Sequence, residues 1–180
     1  MKVASPPLSR PIRVETIPRE GLTRRVEADP AERVALAALN NLPALGRLVA
    51  TFDLRPGAGG IVEVSGEVAA DLTRTCVVTL EPFATRLVEP VNLRFASPSP
   101  APARRGATDG ERDDATLEQQ ESPDPVVDGV IDLGAIAAEF LTLGLDPYPR
   151  KPGVSFEPPA QDGSADASPF GELAGPRKSQ

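Results

Sequence analysis

A long polar stretch in the second half of the chain sets the first limit on its fold. From Ser97 to Pro125 the only large apolar residue is Leu117, while Pro, Asp, Glu and Gln accumulate. Such a stretch buries too little apolar surface to offset the entropy lost when its backbone is ordered. The sequence therefore predicts one folded domain over residues 10–156, interrupted by a disordered acidic insertion at 97–125 and followed by a mobile tail at 157–180.

Alternating apolar and polar residues predict that most of this domain is β-sheet. In Ile61–Leu72, for example, Val62, Val64 and Val68 share one parity, while Glu63 and Glu67 occupy the other, which is the period of a half-buried strand. Gly57–Gly60 predicts the turn of an antiparallel hairpin that joins this strand to the preceding one. The predicted strands are Arg10–Thr16, Leu22–Glu27, Leu45–Leu54, Ile61–Leu72, Thr75–Leu80, Thr85–Phe95 and Val126–Ile131, with Leu87, Val91, Leu93 and Phe95 pointing inward.

Two helices are predicted, one early and one late. Asp29-Pro30-Ala31-Glu32 combines an N-cap, a proline in the first turn and a glutamate at N3, and Pro43 ends the helix. Asp132 is predicted to cap a second helix that runs from Leu133 to about Leu145. The predicted apolar stripes are Val34, Leu36, Ala38, Leu39 and Leu42 in the first helix, and Leu133, Ile136, Phe140 and Leu143, widened by Ala137 and Leu141, in the second.

This order of elements predicts an α+β fold. Several strands precede the late helix without strict strand–helix alternation, which favours a mainly antiparallel sheet or a partly open barrel, with one early helix and one late helix.

The absence of histidine removes several functional classes. Without it, Ser-His-Asp and Cys-His mechanisms and most zinc sites are excluded. The one cysteine, Cys76, lies in an apolar run and is interpreted as a buried, inert thiol, although Arg74 on the same strand parity could lower its pKa. We therefore expect no enzyme activity. With no secretory segment in Met1–Ile12 and no run long enough to span a bilayer, we expect a cytoplasmic protein that does not bind membranes.

Charge is unevenly distributed along the chain. The net charge is −7, yet Met1–Arg25 holds six basic residues against two acidic ones. Arg10, Arg13, Arg24 and Arg25 form the candidate RNA-binding group, because guanidinium groups suit phosphates. The alternative is a solvated face whose charges pair with the chain's own acids.

Two other patterns favour ordinary structural roles. Gly57–Gly60 superficially suggests a phosphate loop, but it lacks the following Lys-Ser/Thr and opens no helix. The acidic cluster Asp109–Asp114 lacks the glycine-pivoted pattern of a calcium loop and is interpreted as solvated. No metal, cofactor or small-molecule substrate is therefore predicted.

Three motifs together resemble the YceD family in its alphaproteobacterial form. They are Val64-Ser65-Gly66-Glu67-Val68, the run Asp71–Pro82 around Cys76, and the run Pro123–Leu141 followed by Pro147-Tyr148-Pro149-Arg150. The resemblance extends from about Pro11 to Phe156. The family-motif positions, interpreted as structural, are Gly66, Cys76, Asp132, Leu133, Glu139 and Pro147.

The resemblance implies a bacterial factor associated with accumulation or processing of large-subunit ribosomal RNA. Many relatives carry further cysteines, but here those places hold residues such as Val78 and Arg150, so a metal-binding role is not transferred. The implied partner is pre-ribosomal RNA or a large-subunit ribosomal protein. The alternative is an acidic adaptor or chaperone that uses the insertion and the tail to hold a basic ribosomal protein without contacting RNA.

Overall fold

A computed structural model of the chain describes residues 6–96 and 123–156. Of the predicted insertion, only Pro123–Pro125 lies in this part, and Asp124–Pro125 belong to a short strand there. Asp124 and Pro125, which were predicted to be disordered, are therefore part of the sheet. Residues 97–122, including the acidic cluster Asp109–Asp114, and the predicted tail at 157–180 lie outside the described residues.

The main sheet has five strands in the order β2-β3-β4-β5-β6, and β1 pairs with β7 in a separate two-stranded sheet. All paired strands are antiparallel except β5 and β6. The predicted mainly antiparallel sheet is thus confirmed, and it is open rather than closed into a barrel. The strands are β1 (Pro11–Arg13), β2 (Leu22–Glu27), β3 (Ala44–Pro56), β4 (Ile61–Thr75), β5 (Pro82–Ala96), β6 (Asp124–Pro125) and β7 (Val130–Asp132).

The two predicted helices are α1 (Pro30–Leu39) and α2 (Leu133–Leu143). The backbone N–H of Glu32 donates to the Asp29 side chain, and the Glu32 side chain accepts from the Asp29 N–H, which is the predicted capping box. Asp132 accepts hydrogen bonds from the N–H groups of Gly134 and Ala135 and so caps α2 as predicted. Side-chain hydrogen bonds thus fix where both helices begin.

The core lies between one face of the sheet and the two helices. In β4 the residues Val62, Val64 and Val68 are buried, which confirms the predicted parity of the strand. The remaining large side chains that are almost wholly buried include Leu8, Leu36, Leu48, Phe52, Leu54, Leu133 and Leu141.

Four residues of the predicted apolar stripes, Ala38 among them, are instead exposed. Val34 and Leu39 of α1 have 71% and 64% of their surface accessible, and Leu143 of α2 has 69%. Both helices lie on the sheet through a narrower stripe than predicted. In α1 that stripe consists of Leu36 and Ala37, and in α2 it consists of Leu133, Ile136, Ala137 and Leu141 with Gly134.

The predicted strand Thr75–Leu80 is wrong. Strand β4 continues to Thr75, and the following residues form the turn into β5. The N–H of Leu80 donates to the Cys76 carbonyl, and the N–H of Cys76 donates to the Glu81 carbonyl, both at 2.9 Å. The apolar run is therefore folded back on itself, with Leu80 at φ +59°.

Two shorter predictions need smaller corrections. The predicted strand Arg10–Thr16 is β1 followed by a 3-10 turn over Val14–Thr16. The predicted strand Val126–Ile131 is interrupted by a tight turn at Asp128 and Gly129, so that Val127 pairs with Val130 and β7 begins there.

Glycine is required where β4 lies unusually close to its antiparallel neighbour β3. A Cβ at Gly66 would overlap the carbonyl oxygen of Thr51 on β3. Gly134 has a similar role at the start of α2, where a Cβ would lie 2.7 Å from the Cα of Ser9. The absence of a side chain at these two positions lets β4 lie close to β3, and lets α2 lie close to the N-terminal segment.

Candidate nucleic-acid interface

Three of the four N-terminal arginines already have carboxylate partners in the chain. The Arg10 guanidinium donates to both Glu32 carboxylate oxygens, at 2.8 and 2.9 Å. Arg13 lies 3.7 Å from Glu15, and Arg25 lies 3.1 Å from Glu27. Arg24 forms no ion pair with a carboxylate among the described residues.

Arg10 is the most strongly held of the four. Its hydrogen bonds to Glu32 lower the pKa of that carboxyl, a shift that the partial desolvation of Glu32 opposes. Because Glu32 also completes the α1 capping box, the pair connects the segment before β1 to the start of the helix. Arg10 therefore has a structural role in the domain.

A second group of arginines, not predicted as a site, lies beside the segment that follows α2. We call this region the β5-edge groove. It lies between the β4–β5 pair and the segment that follows α2, and it has a volume of about 350 Å³. The charged residues that line it are Arg74, Arg86, Glu89, Asp146 and Arg150.

Three different elements supply these arginines, and strand alternation places Arg74 and Arg86 on opposite faces of the sheet. Arg74 lies near the end of β4 opposite Phe83, and Arg86 lies on β5 opposite Asp71. Arg150 comes from the segment after α2. That segment approaches the sheet because the Arg74 guanidinium donates to the carbonyl of Asp146.

Both chain neighbours of Arg150 are anchored to the turn between β4 and β5. The carbonyl of Pro149 accepts the Val77 N–H at 2.9 Å. The Lys151 backbone N–H donates to the sulfur of Cys76 at 3.4 Å. The Lys151 ammonium lies 3.0 Å from the Glu81 carboxylate. The backbone at Arg150 is therefore fixed from both sides, while its side chain is exposed.

The three groove arginines differ from the N-terminal group in their charge partners. Arg74, Arg86 and Arg150 form no ion pair with a carboxylate in the described part of the chain. Two carboxylates share the groove, Glu89 and Asp146, and Asp146 accepts the N–H of Tyr148 at 2.8 Å. The groove lining thus carries one more positive charge than negative charges.

Cys76 is buried, as predicted, and lies at the start of the turn. The Lys151 backbone N–H and the N–H groups of Thr79 and Val78 lower the pKa of its thiol to about 6 against the opposing effect of desolvation. Arg74 is not among the causes of this shift, so the predicted influence of Arg74 on the thiol is not observed. Cys76 contributes a buried acceptor that holds the turn and the segment after α2 together.

The family-motif positions differ in their surroundings. Asp132 accepts hydrogen bonds from the Ser9 hydroxyl and the Arg10 N–H, both at 2.6 Å, in addition to capping α2. Desolvation raises the pKa of Asp132, but these four hydrogen bonds together outweigh it and lower the pKa. Leu133 is fully buried, whereas Glu139 and Pro147 are exposed.

Neither membrane spans nor metal clusters are found in the described ranges. No helix there is long and apolar enough to cross a bilayer. Residues 6–96 and 123–156 also contain no group of three or more His, Cys, Asp or Glu side chains that could hold a metal ion.

Part of the chain matches the model of a known protein family. The model of a family described as large ribosomal RNA subunit accumulation protein YceD matches residues 64–172, more than half of the chain. The chain belongs to the YceD family. No curated protein and no solved structure matches it. The predicted family is confirmed, although the matched region begins well after the predicted start at Pro11.

The boundaries of the YceD match separate the two arginine groups. Arg74, Arg86 and Arg150 lie inside residues 64–172, and so do Cys76 and α2. Arg10, Arg13, Arg24 and Arg25 lie before the match begins. The groove could not be recognised from the sequence, because the residues that line it come from β4, β5 and the segment after α2, which are far apart in the chain.

Proposed function

We propose that this YceD-family protein supports the accumulation of large-subunit ribosomal RNA by binding that RNA as a non-enzymatic assembly factor in the cytoplasm. The family description supplies the process. The main support for the RNA contact is that three arginines without carboxylate partners among the described residues line one groove inside the family-matched region.

Arginine chemistry supports RNA as the partner. A guanidinium group stays charged at all physiological pH values and donates in a planar fork that matches two phosphate oxygens. An arginine already paired with a carboxylate must first lose that partner, whereas one without a carboxylate partner has no such cost. The groove arginines therefore suit an RNA backbone better than Arg10 does.

The N-terminal arginines remain a proposed secondary contact. Arg24 is the strongest of the four, because it is exposed and has no carboxylate partner among the described residues. Arg13 and Arg25 are also exposed, and their ion pairs lie at the surface, where such pairs are weak and easily exchanged. We propose that these side chains extend the RNA contact without determining its position.

A basic ribosomal protein is the alternative partner. In that case the acidic stretch Ser97–Pro125 would mimic RNA charge and hold the partner without any RNA contact. Deleting residues 97–122, which leaves β6 in place, should abolish capture of the ribosomal protein if it is the partner, and should leave RNA crosslinking in place if RNA is the partner.

Crosslinking in cells followed by sequencing of the bound RNA tests the proposal. We expect the recovered reads to be enriched in large-subunit ribosomal RNA or its precursor relative to small-subunit RNA. The matched control is R55Q/R94Q, which replaces two exposed sheet arginines outside the groove and should recover the same RNA. Reads without this enrichment, together with recovery of a ribosomal protein, would support the alternative.

A further inference from the structure

We infer that the backbone edge of β5 beside the β5-edge groove binds an extended strand of a protein partner in which acidic and apolar residues alternate. The added strand continues the main sheet beside Ala84–Val88 and places an acidic side chain next to Arg86. This inference goes beyond the proposed function, because it assigns a protein segment, rather than RNA, to the backbone of β5.

The backbone of β5 has an unpaired edge on the side away from β4. Among the described residues, β5 has a neighbour on this side only at Phe95 and Ala96, where the Ala96 carbonyl accepts the Val126 N–H at 2.9 Å. Backbone groups of successive residues point to alternate sides of a strand, and the register with β4 contains no shift. The N–H and C=O groups of Arg86 and Val88 therefore point away from β4, where no described strand accepts them.

Pro90 agrees with this direction and limits the length of the edge. Proline has no N–H, so inside a strand it occupies a position whose N–H would point out of the sheet. Pro90 has the same parity as Arg86 and Val88, and an added strand would lose a hydrogen bond there. The pairing therefore extends from Ala84 to Val88, about 13 Å at roughly 3.3 Å per residue, and ends before Arg94.

The groove provides space for the apolar side chains of the added strand. Phe83 and Leu87 line it from the core face of β5, and Leu145 lines it from the segment after α2. Phe83 is half-buried, so a strand in the groove covers apolar surface that the described residues leave open. In strand addition, main-chain hydrogen bonds give affinity and pockets for alternate side chains give specificity.

Charge on the opposite face of the sheet favours an acidic partner. Arg86 and Val88 are exposed on the face that carries no helix. Arg86 forms no ion pair with Asp71, its neighbour on β4. Opposite charges on neighbouring strands stabilise their pairing, and like charges directly opposite each other destabilise it. An acidic side chain beside Arg86 is therefore favoured, and a basic one is disfavoured.

The experiment is fluorescence anisotropy with the full chain and labelled peptides of about six residues, a length that covers Ala84–Val88. The probe alternates glutamate and valine, and the comparison peptide alternates lysine and valine. We expect the glutamate peptide to bind about tenfold more tightly than the lysine peptide, because charge beside Arg86 favours the first and opposes the second. The glutamate peptide with all its backbone N–H groups methylated should not bind.

Val88→Pro tests the backbone edge itself. It removes an N–H that points away from β4, as Pro90 already does, and so leaves the β4–β5 hydrogen bonds in place. We expect it to weaken binding of the glutamate peptide about tenfold. Asn92→Pro is the matched control, since it removes an N–H of the same direction beyond Pro90 and should change the affinity less than about twofold. Urea unfolding of both variants should show equal stability.

Side-chain variants test the preference for acidic residues. Arg86→Gln should weaken binding of the glutamate peptide several-fold and leave the lysine peptide no weaker than before. R55Q/R94Q removes exposed arginines outside the groove and should leave the affinity for both peptides within about twofold.

The outcomes separate this inference from the proposed function. Equal binding of the two peptides, or equal effects of Val88→Pro and Asn92→Pro, would overturn the inference and leave RNA binding untouched. A dimer that Val88→Pro dissociates would assign the edge to a second copy. Peptide binding that becomes much tighter when residues 97–122 are deleted would assign it to the chain itself. Val88→Pro should leave oligouridine binding unchanged, and its loss would assign the edge to RNA. Each of these three results would overturn the inference, whereas a protein that binds the peptide but no RNA would overturn only the proposed function.

Discussion

The sulfur of Cys76 accepts a hydrogen bond from the backbone N–H of Lys151, 3.4 Å away and 75 positions later in the chain. Beside it, the Val77 N–H donates to the Pro149 carbonyl. These two bonds attach the segment after α2 to the turn between β4 and β5. They also determine where the backbone of Arg150 lies relative to Arg74.

The Cys76 thiol should make stability depend on pH. Its pKa in the folded protein is lowered to about 6, below the value of about 8.5 for an unfolded thiol. A lowered pKa stabilises the folded state fully above the unfolded pKa, and that stabilisation is lost as the pH falls through the folded pKa. The Tm advantage of the unmodified protein over Cys76→Ser should therefore grow between pH 6 and pH 9. A Tm difference that stays constant over this range would show that the thiolate is not stabilised.

Much of the fold follows from local sequence. Asp29 and Glu32 predict the capping box, and the parity of Val62, Val64 and Val68 predicts the buried face of β4, because both depend on residues close together in the chain. The run after Thr75 could not be predicted in this way. Its β-branched residues favour a strand, whereas its actual turn depends on contacts with Pro149 and Lys151.

The distribution of charge along the sequence shows where arginines are concentrated. It does not show which of them form ion pairs with carboxylates. Arg10 belongs to the most basic segment, yet its partner Glu32 is 22 positions away on α1. Arg86 and Arg150 lie in no basic run, yet both line one groove. An RNA site built in this way depends on tertiary structure, which a linear count of charges does not contain.

Gly66→Ala should destabilise the protein by about 3 kcal/mol, because the added methyl group would overlap the Thr51 carbonyl and force β3 and β4 apart. Urea unfolding monitored by circular dichroism measures the change. Gly57→Ala is the control, since its Cβ would meet only ordinary contacts, the nearest at 3.5 Å, and should change the free energy of unfolding by less than about 0.5 kcal/mol. Equal effects of the two substitutions would contradict the close approach at Gly66.

Asp132→Asn should destabilise the protein by about 1–3 kcal/mol at pH 7, because the charged carboxylate caps α2 and also binds Ser9 and Arg10. The pKa of Asp132 is lowered in the folded protein. This contribution is therefore complete above the unfolded pKa of about 3.9 and is lost as the pH falls through the lower folded pKa. Urea unfolding at pH 7 and pH 3 should show the difference from the unmodified protein shrinking at acidic pH. A difference that does not change with pH would mean that the cap does not depend on charge.

Arg10→Gln and Arg24→Gln should separate a structural arginine from an RNA-binding one. Removing Arg10 should lower the free energy of unfolding by about 1 kcal/mol, a modest value because its side chain is 40% exposed, and should leave RNA affinity within twofold. Arg24→Gln should leave stability unchanged and weaken RNA binding about twofold. Urea unfolding measures the free energy of unfolding, and fluorescence anisotropy with labelled RNA measures the affinity of the same samples. A loss of RNA affinity in Arg10→Gln but not in Arg24→Gln would place the RNA contact at Arg10.

The ratio of large-subunit to small-subunit ribosomal RNA in depleted cells tests the central claim most directly. Depletion should lower this ratio, and the unmodified protein and R55Q/R94Q should restore it, whereas R86Q/R150Q should not. A ratio that stays unchanged after depletion would contradict the account.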